Sequence, residues 1–272
     1  MRGGVRLPGV TPGQLGEILG LPPTPRGTWA DEALYVSSAA LRRGRAPEEL
    51  AARLRALPGI ADVRVSVGGL LEIVVSVPGE LVTEIGPAAP VAPAAPIASN
   101  VRNASGVVDA SGGRDVSGVE GFSDGSGVRG LSDDRLPVEA SPWADFPRTW
   151  RNPGFVVRYA HWRAAAVRRW AAELGVGGEF RPELLDGPRD RAVLRLLAEV
   201  HGRRRSREPG WAAYAEQLAL AYHDAFEGAP ALPKGEEGPT ALHAARVRLA
   251  GAVRDVLAET LAVFGETAPD RL

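Results

Sequence analysis

Apolar and polar positions divide the chain into three stretches with different periods. In the first, residues 1–85, Thr11-Pro12 has the form of an N-cap followed by proline at the first helical position, opening a short helix to about Leu19. A second helix is predicted from Asp31 to Arg43, stopping at Gly44. A third starts near Pro47, carries Leu50, Leu54 and Leu57, and ends at Gly59. The period then drops to two. Val63, Val65 and Val67 alternate with Arg64 and Ser66, Gly68-Gly69 follows, and Leu71, Ile73, Val75 and Val77 alternate with Glu72 and Ser76. Two alternating runs joined by Gly-Gly predict a β-hairpin.

Residues 86–147 show neither period. Pro87, Pro90, Pro93 and Pro96 come first, then Ser-Gly-Val recurs at 105, 117 and 126. With almost no large apolar side chains, this stretch cannot offset its ordering entropy by burial, so a disordered Gly/Pro/Ser/Ala linker is expected.

Residues 148–272 return to the helical period. Asn152-Pro153 is a second cap-then-proline start, followed by Val156, Ala160, Val167, Trp170, Ala171 and Leu174, with Gly175 as the stop. Gly187-Pro188 opens a helix with Val193, Leu194, Leu197 and Val200. A third runs from about Pro209 to Phe226, and Thr240 caps a fourth that ends at Gly265. The expected architecture is an α+β N-terminal module with a β-hairpin (1–85), a linker (86–147) and an all-α helical bundle (148–272).

Composition narrows the chemistry. The chain has 272 residues, a formal net charge of −1 and no cysteine, which excludes disulfides, thiolate metal sites and a Cys nucleophile. Its four histidines, 161, 201, 223 and 243, are too far apart in sequence for a short His-x-His metal pattern. No P-loop surrounds Lys234, and no paired-carboxylate, metal or nucleophile constellation stands out, so no catalytic residue, cofactor or metal is expected. No apolar run is long enough to span a membrane, and Met1 to Arg6 lacks the apolar core of a signal peptide, so the expected compartment is the cytoplasm.

All but one of the 32 basic residues are arginine, a skew that looks like GC-rich codon usage. Placement is therefore more informative than number. Residues 148–205 hold 13 Arg against 6 acids, whereas residues 206–272 hold 6 basic residues against 10 acids. A cationic track suited to a phosphate backbone and a merely solvated arginine face both fit this asymmetry.

The stretch Val157-Arg-Tyr-Ala-His-Trp-Arg163 resembles the start of the DALR-type anticodon-binding domain of arginyl-tRNA synthetases, which typically opens Gln-Tyr-Ala-His-Ala-Arg. The resemblance continues in order through Arg207-Glu-Pro209, Leu218, Phe226 and Ala-Leu-Pro233, then Ala245-Arg246, Leu249, Val256-Leu257, Leu261 and Phe264-Gly265, to Ala-Pro-Asp-Arg-Leu272. The first stretch is similar to the N-terminal module of the same synthetases. Ala40-Leu-Arg-Arg-Gly-Arg-Ala-Pro-Glu-Glu-Leu50, Ile60-Ala-Asp-Val63 and Gly68-Gly-Leu-Leu-Glu-Ile73 carry that likeness. There the resemblance implies contact with the tRNA D-loop. The family's turn presents Phe and Asn, however, where this chain has Leu70 and Glu72, which cannot stack or donate in the same way.

The catalytic domain that separates the two modules in those synthetases has no counterpart in residues 86–147. A His-x-Gly-His signature needs two histidines three apart, and a Lys-Met-Ser-Lys-Ser loop needs two lysines; the chain has no such histidine pair and only Lys234. The resemblance thus implies a stand-alone protein that binds tRNA, arginine tRNA foremost, without the ligase chemistry. On it, Tyr159 and Trp162 are the expected base-stacking rings. Arg158, Arg163, Arg168 and Arg169 would meet phosphates, joined by Arg203, Arg204 and Arg205 in an expected loop and by Arg271 near the end. The alternatives are a protein–protein module that docks on a synthetase or translation factor, and a true arginine–tRNA ligase, which the missing signatures disfavour.

Overall fold

The computed structural model describes residues 9–44, 46–85, 141–206 and 210–269. Most of the expected linker, residues 86–140, lies outside the described residues, as does Arg271.

Helix α1 (Pro12–Leu19) starts where the sequence predicts, with Thr11 and Gln14 forming a capping box. The predicted helix over 31–43 is corrected. Its first part is a strand, β2 (Ala33–Ser37), and only Ala39–Arg43 is helical (α2). A short apolar run fits either period. Here Ala33, Tyr35 and Ser37 turn inward alternately, and the backbone pairs on both sides, with β1 (Thr24–Arg26) and with β4 (Leu71–Val75). The expected hairpin is present as β3 (Ile60–Val65) and β4, preceded by α3 (Pro47–Arg55). Gly69 takes a φ of +72° in its turn, a conformation that suits glycine. The hairpin is therefore half of a four-stranded antiparallel sheet in the order β1-β2-β4-β3. Leu15, Trp29, Tyr35, Leu54, Leu71, Ile73 and Leu81 form its core. Trp29 donates its ring N–H to Leu34 O at 3.1 Å, so the indole is buried with its polar atom satisfied.

The C-terminal region is all-helical. Asn152 caps α4 (Pro153–Glu173); α5 (Pro188–Leu197), α6 (Val200–Arg205), α7 (Trp211–Gly228) and α8 (Ala241–Val263) follow. Helices α4, α7 and α8 pack on one another through Val157, Ala160, Val167, Leu218, Val253, Val256 and Leu257, and α5 packs on α7. Arg203 to Arg205 form the last turn of α6 rather than a loop. The break between α5 and α6 falls at Ala198-Glu199, so Val200 belongs to the later helix.

The sheet module and the helices touch directly. A 3-10 turn at Pro78–Thr83 lies against a second at Pro182–Leu184, so closely that a Cβ on Gly79 would come within 2.3 Å of Pro182 O. Arg191 donates to the carbonyls of Trp29 and Asp31, and Arg195 to that of Gly27. His201 Nε2 sits 3.2 Å from Glu84, whose carboxylate also accepts from Thr11 Oγ1 and from Gly13 N at the start of α1. Burial would raise the Glu84 pKa, but the hydrogen bonds from His201, Thr11 and Gly13 outweigh it and hold it below the usual value.

Candidate nucleic-acid interface

The start of α4 is fixed by one side chain. Asn152 Oδ1 accepts from Gly154 N at 3.0 Å, while its amide donates to the carbonyls of Ala144 and Pro147 at 2.9 and 3.0 Å. The approaching segment, at the end of the expected linker, is thereby tied to the helix. Trp143 packs edge-on against Phe264 nearby.

Helical spacing then lines up rings. Phe155, Tyr159 and Trp162 are four and three residues apart and share a face. Tyr159 lies near-parallel to both, with centroids 5.4 Å from Phe155 and 5.8 Å from Trp162. All three are half-buried. Trp150, just ahead of the cap, stands edge-on to Tyr159, to Phe155 and to His223 of α7. It is 55% exposed.

Arg163 closes the cluster. Its guanidinium lies 4.5 Å from the ring centroids of both Tyr159 and Phe226. It also donates to Glu227 at 3.1 Å and contacts His223 Nδ1 at 3.2 Å. The tautomer follows from the partners. His223 Nε2 is 3.0 Å from Val156 O, which can only accept, so Nε2 carries the proton and Nδ1 accepts from Arg163. Burial, with the Arg163 charge adding to it, pushes the His223 pKa below its ordinary value and keeps the ring neutral.

The other expected cations fall into two groups. Arg158 makes two 2.9 Å hydrogen bonds to Glu266 and a 3.1 Å ion pair with Asp145. Arg203 is held by Glu199 and lies over the Tyr214 ring; Arg204 is held bidentately by Glu259. The partners of Arg203 and Arg204 are Glu199 at the start of α6, Tyr214 of α7 and Glu259 of α8. Arg168, Arg169 and Arg205 are exposed and make no ion pair among the described residues. The structure therefore brings together Tyr159, Trp162 and Arg163, and leaves the arginine triplet as a separate feature.

The segmental charge excess is largely offset in space. Glu227, Asp224, Glu259 and Glu266, all from the acidic end of the chain, pair with Arg163, Arg189, Arg204 and Arg158. Phe155 was legible as the residue one turn before Tyr159. Trp150, His223 and these acids gave no local signal. In the N-terminal module, Leu70 is half-buried and Glu72 faces Arg64 at 3.7 Å. Among the described residues no cluster of His, Asp or Glu is arranged to hold a metal, and no helix is long and apolar enough to cross a membrane.

Chemically, half-exposed rings beside a fixed guanidinium can stack flat unsaturated groups, as an unpaired nucleobase requires.

No protein-family model matches the chain. It is similar to an arginine–tRNA ligase of Clavibacter sepedonicus, with 40% identity over 151 residues. That match takes in 53% of this chain and 27% of the relative, so the chain spans about a quarter of the length of the curated protein it resembles.

Proposed function

We propose that the chain is a tRNA-binding relative of arginine–tRNA ligases that does not itself charge tRNA. The observation that carries this reading is the ring cluster Phe155-Tyr159-Trp162 with Arg163 locked across it. Such a cluster suits splayed bases of a single-stranded loop, and the resemblance of this segment to a DALR-type domain directs it to the anticodon region, with arginine tRNA as the first candidate. The relative is an arginine–tRNA ligase, and this sequence carries neither the His-x-Gly-His nor the Lys-Met-Ser-Lys-Ser signature of the synthetases it resembles, groups that would hold a nucleotide and stabilise an adenylate. The reading therefore ends at binding, in the cytoplasm and away from membranes.

One observation favours the second reading, a protein-docking module in translation. Arg158, Arg163, Arg203 and Arg204 are already engaged by acids, which lowers the cationic surface offered to phosphates.

The test is a titration with arginine tRNA and an unrelated tRNA at two salt concentrations, beside an aminoacylation assay. The proposal expects tighter binding of arginine tRNA, weakened by salt, with no charging. Absence of binding at low salt would overturn it in favour of a protein partner, and ATP-dependent charging would overturn its non-catalytic half.

A further inference from the structure

The ring that offers most surface in this cluster is not one of the helical rings. Tyr159 has the Arg163 guanidinium on it, Phe155 and Trp162 beside it, and Trp150 and His223 against it. Half-buried among them, it is less open than Trp150. Trp150 is different. Its centroid lies 4.8 Å from His223 at 85°, 5.7 Å from Tyr159 at 64° and 6.2 Å from Phe155 at 82°. These edge contacts, with the Arg163 guanidinium 5.9 Å from its centroid, fix its orientation, yet 55% of it remains exposed. Its backbone is held by the Asn152 bonds to Ala144 and Pro147 and by Thr149 N donating to Pro147 O at 2.9 Å. An indole held on three sides and open on the rest loses little side-chain freedom on binding.

The flanking charges point the same way. Arg148 and Arg151 are exposed and make no ion pair among the described residues; the Arg148 guanidinium lies 5.4 Å from the centroid of the Phe146 ring. Asp145, three residues before Arg148, pairs with Arg158, and Glu227 pairs with Arg163. Cations that no carboxylate neutralises are the ones free to meet phosphates.

The geometry points to Trp150, flanked by Arg148 and Arg151, as the stacking platform for an unpaired base of a single-stranded RNA segment, with Tyr159, His223 and Arg163 as its mount. This rests on the RNA reading above and moves the contact from the α4 arginines to the segment ahead of the helix. Every ring has a π-face, so Trp150 supplies affinity with little base selectivity.

The full chain is titrated with an unstructured adenine-rich RNA oligonucleotide and with an arginine tRNA transcript, alongside thermal melts. Trp150→Ala is expected to weaken oligonucleotide binding by about 10- to 100-fold. Trp150→Phe recovers most of the loss, and melting changes little. The double variant Arg148→Ser, Arg151→Ser lowers the slope of log affinity against log salt by about 1.4, as for two phosphates lost from a single strand. If Trp150→Ala binds normally while Tyr159→Ala does not, the inference is overturned and the RNA reading stands. If Trp150→Ala instead collapses the melting transition, or Trp150→Phe fails to recover binding, Trp150 is a packing residue and the inference is again overturned. If the unaltered chain binds neither RNA, the RNA reading itself fails and takes the inference with it.

Discussion

The triplet Arg203–Arg205 on α6 and the segment Arg148–Arg151 ahead of α4 are both arginine-rich, but their charges are in opposite states. In the triplet, Glu199 and Glu259 hold Arg203 and Arg204, leaving Arg205 exposed. Ahead of α4, Arg148 and Arg151 have no carboxylate partner among the described residues and frame an exposed indole. Read along the chain, the triplet is the stronger cation. In three dimensions the weaker-looking stretch is the more available one, because Glu199, one turn away, holds Arg203, and Glu259, distant in sequence, reaches Arg204 from α8. Surface potential follows pairing, and pairing is set by the fold.

The largest effect is expected where the acid that pairs an arginine is deepest in the bundle. Asp190 is buried, and Arg246 grips both its oxygens and donates to Pro230 O. Burial raises the Asp190 pKa, and the Arg246 contact offsets only part of that rise. Asp190→Ala strands Arg246 and is expected to cost about 3–5 kcal/mol, read by denaturant unfolding. Replacing the pair together, Asp190→Leu with Arg246→Met, should restore much of the loss.

The contact between the sheet module and the helices is next. Gly79→Ala places a methyl group on the Pro182 carbonyl and should cost about 1–3 kcal/mol by forcing the two 3-10 turns apart. Loss of the module's amide protection before that of the bundle, in hydrogen exchange, is the expected signature.

Freeing the triplet sharpens the comparison. Glu259→Gln releases Arg204, whose bidentate pair is partly open to solvent on the arginine side, and should cost about 1–2 kcal/mol in thermal melts. It should also steepen the salt dependence of RNA binding, since a cation is returned to the surface.

A pH effect follows from His223. Its folded pKa lies below the ordinary value of 6.5 because burial and Arg163 disfavour the charged ring. The stability it contributes is therefore complete above about pH 6.5 and is lost as pH falls toward the folded value. Stability measured from pH 7 down to 5 should decline, and the decline should flatten in His223→Gln. Smallest of all, Arg205→Ala should change stability by less than about 0.5 kcal/mol, because it breaks no ion pair.

The helices were legible because their signals are local. Thr11-Pro12, Asn152-Pro153 and Thr240 each start a helix, and Gly175 and Gly265 follow two helix ends in the left-handed conformation. Strand β1 was not legible because three residues that include Pro25 carry no period. Strand β2 was lost because Ala33–Ser37 runs straight into the helical Ala39–Arg43, and only pairing with β4, distant in sequence, makes it a strand. The site divides the same way. Tyr159, Trp162 and Arg163 share one helical face and could be found by spacing and resemblance. Trp150 and His223 join them only through tertiary contact, and Glu266 and Glu259, which hold Arg158 and Arg204, lie 108 and 55 residues away.

The central claim is that RNA meets this protein at the start of α4. It is tested most directly by photo-crosslinking the full chain to arginine tRNA that carries a photoreactive base in its anticodon loop, then mapping the attached peptide. The account predicts attachment between Arg148 and Arg163. Attachment at Arg203–Arg205 instead, or none under conditions where the tRNA is bound, would contradict it.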